Sequence, residues 1–398
     1  MINFMNFMNS TLTKVVIVIP TYNEAANVIP TTVALAKVFK SCQSYDMHIL
    51  FVDDNSPDGT SKVIDGLMKK YPFVHILNNK HKGGLGHAYK KGFFVAIDKY
   101  KADIIFQFDA DLQHDPSVIP AMLASIAAGS DLVLGSRYIR GGGIPSHWPW
   151  YRKFLSVVGN IYIRVVMANF KVHDWTTGYR AIRTPVVQEI LKIMNNAAFY
   201  GYTWQIGFLV KTIQKGYKVS EVPFVFRDRT SGASKLGPEY IFNTMRYIMK
   251  VRMSEIVNSR IFKFLVTGGT GTLVQITALY FYRMGLGYQL ANFLSIETAI
   301  VSNFTLSNLW TFADRKLKVT QIPGKFLQFN LASAGSILIQ MAIAFMGEKF
   351  IGLFTLFNFQ LSTFNLTVDT GMVFSIVGIL IGMFWNFFAY SRFVWKKK

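Results

Sequence analysis

Phe106-Gln107-Phe108-Asp109-Ala110-Asp111-Leu112-Gln113-His114-Asp115-Pro116 is the stretch on which the reading of the first half of the chain turns. An apolar run from Ile104 to Phe108 ends abruptly in two carboxylates one residue apart, with a third acid and a proline behind them. A buried strand whose carboxyl end opens into acids marks the edge where α/β sheets place their ligands. Two acids flanking a small residue suit a divalent cation that also holds substrate phosphates, because Mg²⁺ takes only one or two protein carboxylates. Taken alone, the same residues make an ordinary solvated turn, since Asp and Pro stop strands wherever they occur. The surrounding chain has to decide between these.

The 398 residues imply two or more domains. Net charge is +20, yet only 16% of residues are charged and 51% are hydrophobic. A nucleic-acid-binding protein would be basic but more polar, so no nucleic-acid partner is expected. Basic and apolar together fit a membrane protein that faces anionic lipid or phosphorylated substrates. The single cysteine, Cys42, excludes an intramolecular disulfide and any cysteine-based metal cluster. Met1 to Lys14 lacks a basic segment followed by a sustained apolar core, so the domain after it is expected to begin in the cytoplasm.

Composition changes near Ser259. Four long apolar stretches follow, at about 261–283, 289–312, 326–347 and 369–394, each with the length of a bilayer span. Arg315, Lys316, Lys318 and Lys325 lie between the second and third, and Arg392 and Lys396 to Lys398 follow the fourth. The positive-inside rule therefore puts these connections, the C-terminus and the preceding domain in the cytoplasm. Two other stretches, Trp148 to Phe170 and Tyr240 to Val257, mix apolar residues with cations and are expected to be helices lying at the membrane surface. For the second, a buried core helix is an equal competitor.

Before Ser259 short β-branched runs alternate with helical spacing: Val15–Ile19, Ile49–Val52, Val74–Leu77, Ile104–Phe108 and Asp131–Leu134. The alternation predicts a parallel sheet covered by helices. Three of these runs end in polar motifs. Pro20-Thr21-Tyr22-Asn23-Glu24 follows the first, Asp53-Asp54-Asn55-Ser56-Pro57-Asp58-Gly59-Thr60 the second, and Asp109-Ala110-Asp111 the fourth. Polar tips of three strands at one sheet edge outweigh the turn reading.

The set PTYNE, DDNSPDGT, DADLQHDP and Gly135-Ser136-Arg137-Tyr138 resembles the family 2 glycosyltransferases, whose nucleotide-sugar fold, called GT-A, is Rossmann-like. More narrowly it resembles the polyprenyl-phosphate hexose synthases, the dolichyl-phosphate mannose synthase type, over residues 14 to 240. That resemblance implies an α/β GT-A domain at 14–235 after a tail at 1–13, an amphipathic interfacial helix at 236–258, and an all-α domain of four transmembrane helices at 259–398. It implies Mg²⁺ or Mn²⁺ on Asp109 and Asp111 with Gln113 nearby, and donor contacts from Pro20, Tyr22, Glu24, Val52, Asp54 and Ala110. Arg137 would face the donor phosphates, and Arg229 and Lys235 of the loop Arg229–Lys235 would close over them. His173-Asp174-Trp175-Thr176-Thr177-Gly178-Tyr179-Arg180 is similar to the family's acceptor loop at Asp174 and Arg180. Arg152, Lys153 and Ser234 are further candidates for the acceptor phosphate.

The implied reaction is inverting transfer of a hexose from GDP-mannose or UDP-glucose to a dolichyl or undecaprenyl phosphate. A processive polysaccharide synthase is the nearest rival, although the chain lacks the Gln-x-x-Arg-Trp motif of those enzymes. Lipid-linked sugar transport by 261–394 is an alternative of another class, since that segment is similar in layout to four-span GtrA-like domains. His81-Lys82-Gly83-Gly84-Leu85-Gly86 lacks the spacing of a phosphate loop and is expected to be structural.

Overall fold

The computed structural model describes residues 12–194, 203–227, 238–311, 313, 316–361 and 364–389. The chain forms two compact units, Met1–Arg252 and Met253–Lys398.

The first unit is built on β1 (Thr13–Thr21), in which Val15 through Ile19 are wholly buried. A strand with no exposed face belongs in the middle of a sheet covered on both sides. It pairs in parallel with β2 (Tyr45–Asp53) on one side and β4 (Ile104–Gln107) on the other. The remaining strands are β3 (Val74–Asn78), β5 (Leu132–Ser136), β6 (Arg180–Arg183) and β7 (Val219–Pro223), and the order is β3-β2-β1-β4-β6-β5-β7. The expected parallel sheet is therefore corrected to a mixed one, because β6 runs antiparallel to both β4 and β5.

Helices α1 (Ala25–Phe39), α2 (Thr60–Lys70) and α4 (Ile119–Ala127) cover one face through Val28, Leu35, Ile64, Leu67 and Met122. The other face carries α3 (Leu85–Asp98), α5 (Trp150–Val166), α6 (Thr184–Ile193), α7 (Thr203–Gln214) and the first half of α8 (Pro238–Asn258), through Phe93, Ile163, Ile190, Phe208 and Ile248. At Gly92 of α3 a Cβ would lie 2.5 Å from Val18 and 2.8 Å from Val52, so this helix sits on the sheet at backbone distance. Strand order reverses direction about β1 and β4, and the crevice outside the carboxyl ends of such a pair is where α/β sheets bind ligands. Asp109 and Asp111 follow β4 at that point.

In the second unit α9 (Arg260–Tyr282), α10 (Tyr288–Leu306), α11 (Ile322–Phe350) and α12 (Thr370–Ala389) occupy the four apolar stretches. Among the described residues, Arg260–Tyr282 and Val319–Phe350 are long and apolar enough to cross a membrane, and Thr370–Asn386 is apolar but shorter. A hairpin of β8 (Thr355–Leu361) and β9 (Phe364–Asp369) precedes α12, which the hydropathy pattern did not foresee. The unit has polar groups inside and apolar groups outside: Gln275 donates to Gln340 at 2.8 Å and Thr267 lies 3.1 Å from Thr311, whereas Leu273, Leu331, Leu338 and Phe384 are exposed. A Cβ on Gly271 would fall 2.2 Å from Asn303, so this glycine permits close helix packing.

Candidate active site

The acid pair lies in a tightly folded loop. Asp109 is half-exposed and Asp111 is buried. The backbone N–H of Gln113 donates to Asp111 Oδ1 at 3.1 Å, and the phenol of Tyr89, from α3, donates to Asp109 Oδ1 at 3.3 Å. Leu112, just after the pair, takes a left-handed conformation (φ 58°), which costs an L residue about 1 kcal/mol and folds the loop back on itself. From α1, Thr31 Oγ1 donates to the Ala110 carbonyl at 2.6 Å and ties the loop to the helix beside it. The Gln113 side-chain amide donates to Arg227 O at 3.3 Å, which fixes that side chain. Asp115 belongs to the following turn, where its carboxylate accepts from Ser117 N and from Arg227 Nη2.

His114 and Tyr89 were not picked out by sequence reasoning. The Asp109 N–H donates to His114 Nδ1 at 3.1 Å, so the ring proton sits on Nε2, which lies 3.6 Å from Asp109 Oδ2. Burial pushes the His114 pKa down to about 4, with Asp111 opposing that shift. Burial first, and Asp109 second, push the Tyr89 phenol well above its ordinary value. Both side chains are therefore neutral near neutral pH. The only sequence signal for His114 was its place five residues after Asp109.

The loops after β1 and β2 brace each other. Asp53 accepts from Thr21 Oγ1, Ser56 N and Ser61 Oγ, and Asp58 accepts from Ala25 N and Thr60 N. Glu24 caps α1 and accepts from Asn27 Nδ2 at 2.6 Å, while Lys82 stacks over the Tyr22 ring at 3.8 Å. Pro20 is the penultimate residue of β1. Two donor-site expectations change here. Val52 has its side chain wholly inside the core, which leaves only its backbone at the edge. Asp54 is buried and accepts from Asn79 Nδ2 at 2.7 Å and from the N–H groups of Gly83 and Gly84 at 3.1 and 3.2 Å. Its carboxylate secures the start of α3, which is also why the Gly83-Gly84 loop is structural.

The expectation for Arg137 changes as well. Its guanidinium forks onto Asp174, Nε to Oδ2 at 2.7 Å and Nη2 to Oδ1 at 2.8 Å, and Nη2 also reaches Thr176 Oγ1. Burial alone would lower the Arg137 pKa, but the Asp174 charge and hydrogen bonds hold it above its ordinary value. Asp174 is wholly buried, and Glu221 accepts from its N–H and from that of His173. Asp174 thus acts on Arg137 and the loop rather than presenting itself to an acceptor. Arg180 is also wholly buried. It donates to the carbonyls of Thr177 and Gln205, and burial lowers its pKa to about 9. A buried guanidinium of this kind is not placed to receive a lipid phosphate. Among the described residues its Nη2 has no partner, nor do the Gln107 amide, Trp204 Nε1 or Gln205 Oε1.

Arg152 and Lys153 begin α5, where Arg152 stacks on Trp148 at 3.7 Å and Lys153 donates to Ser146 O. Arg229, Ser234 and Lys235 lie outside the described residues. Among the described residues no set of three or more His, Cys, Asp or Glu converges as a metal site. The acid pair alone offers hard oxygen donors of the type Mg²⁺ and Mn²⁺ take, and a cation there would complete its shell with substrate oxygens. The residues fit that group.

The family model "Glycosyl transferase family 2" matches residues 16–191, and "GtrA/DPMS, transmembrane domain" matches 263–395. A dolichol-phosphate mannosyltransferase of Pyrococcus furiosus is 33% identical over 83% of this chain and 89% of its own. A polyprenol monophosphomannose synthase of Mycolicibacterium smegmatis is 37% identical over 58% of this chain and 84% of its own. An undecaprenyl-phosphate mannosyltransferase of Micrococcus luteus is 34% identical over 60% of this chain and 96% of its own. With its acid pair at the sheet's switch point, its two matched domains and relatives over most of its length, the chain belongs to the polyprenyl-phosphate mannosyltransferase family of glycosyltransferases, as a membrane protein with a GtrA-type C-terminal domain.

Proposed function

We propose that the protein transfers mannose from GDP-mannose to a polyprenyl phosphate at the cytoplasmic face of the membrane, with four helices of the second unit as spans. The observation that carries this reading is the acid pair Asp109 and Asp111, held at the switch point of a sheet whose family acts on lipid phosphates. The relatives are named for mannose, which favours GDP-mannose over UDP-glucose as donor.

The chain's own residues account for the chemistry as follows. Tyr22 and Glu24 stand at the carboxyl end of β1, where a nucleoside would lie, and the Asp109–Asp111 loop stands beside the diphosphate. A divalent cation on these acids, when bound, neutralises charge developing on the leaving diphosphate. An oxygen of the lipid phosphate attacks the anomeric carbon as the bond to the diphosphate breaks, and the nucleoside diphosphate leaves with the electron pair. The acceptor phosphate is ionised near neutral pH, so no general base is needed, and attack opposite the leaving group inverts the anomeric centre. Arg152 and Lys153 at the start of α5 are assigned to the acceptor phosphate. Arg137, paired with Asp174, holds the loop at the same edge in place, and Arg229 and Lys235 are assigned to closure over the diphosphate. Water kept out by that closure cannot hydrolyse the donor.

Membranes containing the protein, incubated with labelled GDP-mannose, UDP-glucose and other nucleotide sugars, should give metal-dependent label in lipid extracts from GDP-mannose. Asp109→Asn and Asp111→Asn should each lower transfer by at least about a hundredfold. Lipid left unlabelled by every donor would falsify the synthase reading.

A further inference from the structure

Among the described residues, two uncharged side chains face the Asp109 carboxylate, one from each face of the sheet. Tyr89 belongs to the core beneath α3, and its phenol donates to Oδ1 at 3.3 Å. His114 packs on the opposite core, parallel to the Tyr179 ring at 4.9 Å and edge-on to Phe108 and Phe224 at 5.4 and 6.0 Å. Tyr179 is itself fixed by its phenol, which donates to Asp115 O at 3.0 Å. The Asp109 N–H occupies His114 Nδ1, so the proton on Nε2 faces Oδ2 of the same aspartate at 3.6 Å. That separation is longer than a hydrogen bond, as contacts at active sites often are before ligands arrive. A Cβ on Gly178 would crowd Gln205 Nε2 at 3.2 Å and stand in ordinary contact with His114 Cε1 and Asp109 Oδ2 at 3.5 and 3.6 Å, so this glycine lies beside the pair.

We propose that Tyr89 and His114 are positioning residues that preset the Asp109 carboxylate for a divalent cation. A lysine or arginine in either place would orient the carboxylate equally well but would cancel the charge that the cation needs. Neutral donors orient it without adding a compensating charge of their own. Asp111 is preset by the Gln113 N–H, so both acids of the pair reach the ligand already oriented. The inference rests on the metal role given to the acid pair above, and it assigns two residues to that role from outside the acidic motif.

The test is a titration of the full-length protein in detergent with Mn²⁺ in the presence of GDP, read by electron paramagnetic resonance of free Mn²⁺. Tyr89→Phe and His114→Leu should each weaken Mn²⁺ by about tenfold, in line with outer-shell partners at metal sites. His114→Gln keeps an N–H donor and should recover most of the lost affinity. In transfer assays the loss should appear in the metal concentration giving half-maximal rate, rather than in the rate at saturating metal. Unchanged Mn²⁺ affinity in either Tyr89→Phe or His114→Leu overturns the proposal, as does a loss confined to the saturated rate. Should His114→Leu fail to fold, Tyr89→Phe and His114→Gln decide it, since unchanged affinity in Tyr89→Phe is sufficient to overturn it. Wild-type protein that binds no Mn²⁺ with GDP would remove the metal role and this inference together. Normal Mn²⁺–GDP binding without lipid labelling would remove only the acceptor assignment.

Discussion

At the residue scale, candidates defined by a local pattern differ from those whose surroundings are set by residues far away in sequence. The place of Asp109 and Asp111 at a strand end was legible because its pattern is local: an apolar run, then acids. Arg137 was read as facing phosphate, but its bidentate partner Asp174 is 37 positions away and no local signal announces the pair. A buried guanidinium left without its carboxylate is costly, and Asp174→Asn should destabilise the first unit by about 3–5 kcal/mol. Chemical denaturation followed by tryptophan fluorescence would measure this, and a loss below 1 kcal/mol would mean the pair is solvated in solution. His75 gives a pH test of the same unit. Burial first, then the nearby charge of His48, lowers its pKa from 6.5 to about 4. Between those values the unfolded chain binds a proton that the folded chain does not, so this contribution to stability is present above pH 6.5 and is lost as pH falls towards 4. Melting temperature should drop over that window, and His75→Gln should flatten part of the slope. Parallel curves for the two proteins would show that folding leaves the His75 pKa where it is in the unfolded chain.

At the element scale, the strands that were read correctly are those with unbroken apolar runs. β6 was missed because Arg180-Ala181-Ile182-Arg183 is half cationic, and only the pairing with β4 and β5 makes it a strand. The hairpin before α12 was missed because its residues sit beside a span and share its apolar character. The α5 segment was legible from its mixture of aromatics and cations. The structure gives it one face with Asn160 and Ile163 buried and another with Trp150, Phe154, Val158, Ile161 and Val165 exposed. The stripe repeats at helical spacing, and Arg152 and Lys153 lie at its first turn. Such a face suits the boundary between headgroups and acyl chains. Replacing Phe154 and Ile161 by serine should therefore raise the KM for a long-chain polyprenyl phosphate several-fold while leaving that for a short, water-soluble acceptor unchanged. Equal losses with both acceptors would place the effect in the site instead of at the lipid surface.

At the scale of the whole molecule, the chain joins two units with opposite designs. The first buries its apolar residues around a seven-stranded sheet, and the second keeps Gln275, Gln340, Thr267 and Thr311 inside while exposing leucines and phenylalanines. A cavity of about 60 Å³ inside the second unit has a mixed lining to which each of the four helices adds a polar group: Gln275, Asn303, Ser336 and Asn386. Every acid and aromatic assigned to the donor belongs to the first unit, which has its own two cores. The proposed function therefore gives the second unit no part in activating the sugar. A chain ending at Asn258 should then transfer mannose to a short-chain polyprenyl phosphate in solution within about tenfold of the full-length rate, the deficit lying in acceptor concentration. Full-length protein should regain the advantage only when a long-chain acceptor is held in vesicles. A truncated chain that folds, binds GDP with Mn²⁺ and still fails to transfer would make the helices of the second unit part of the catalytic machinery.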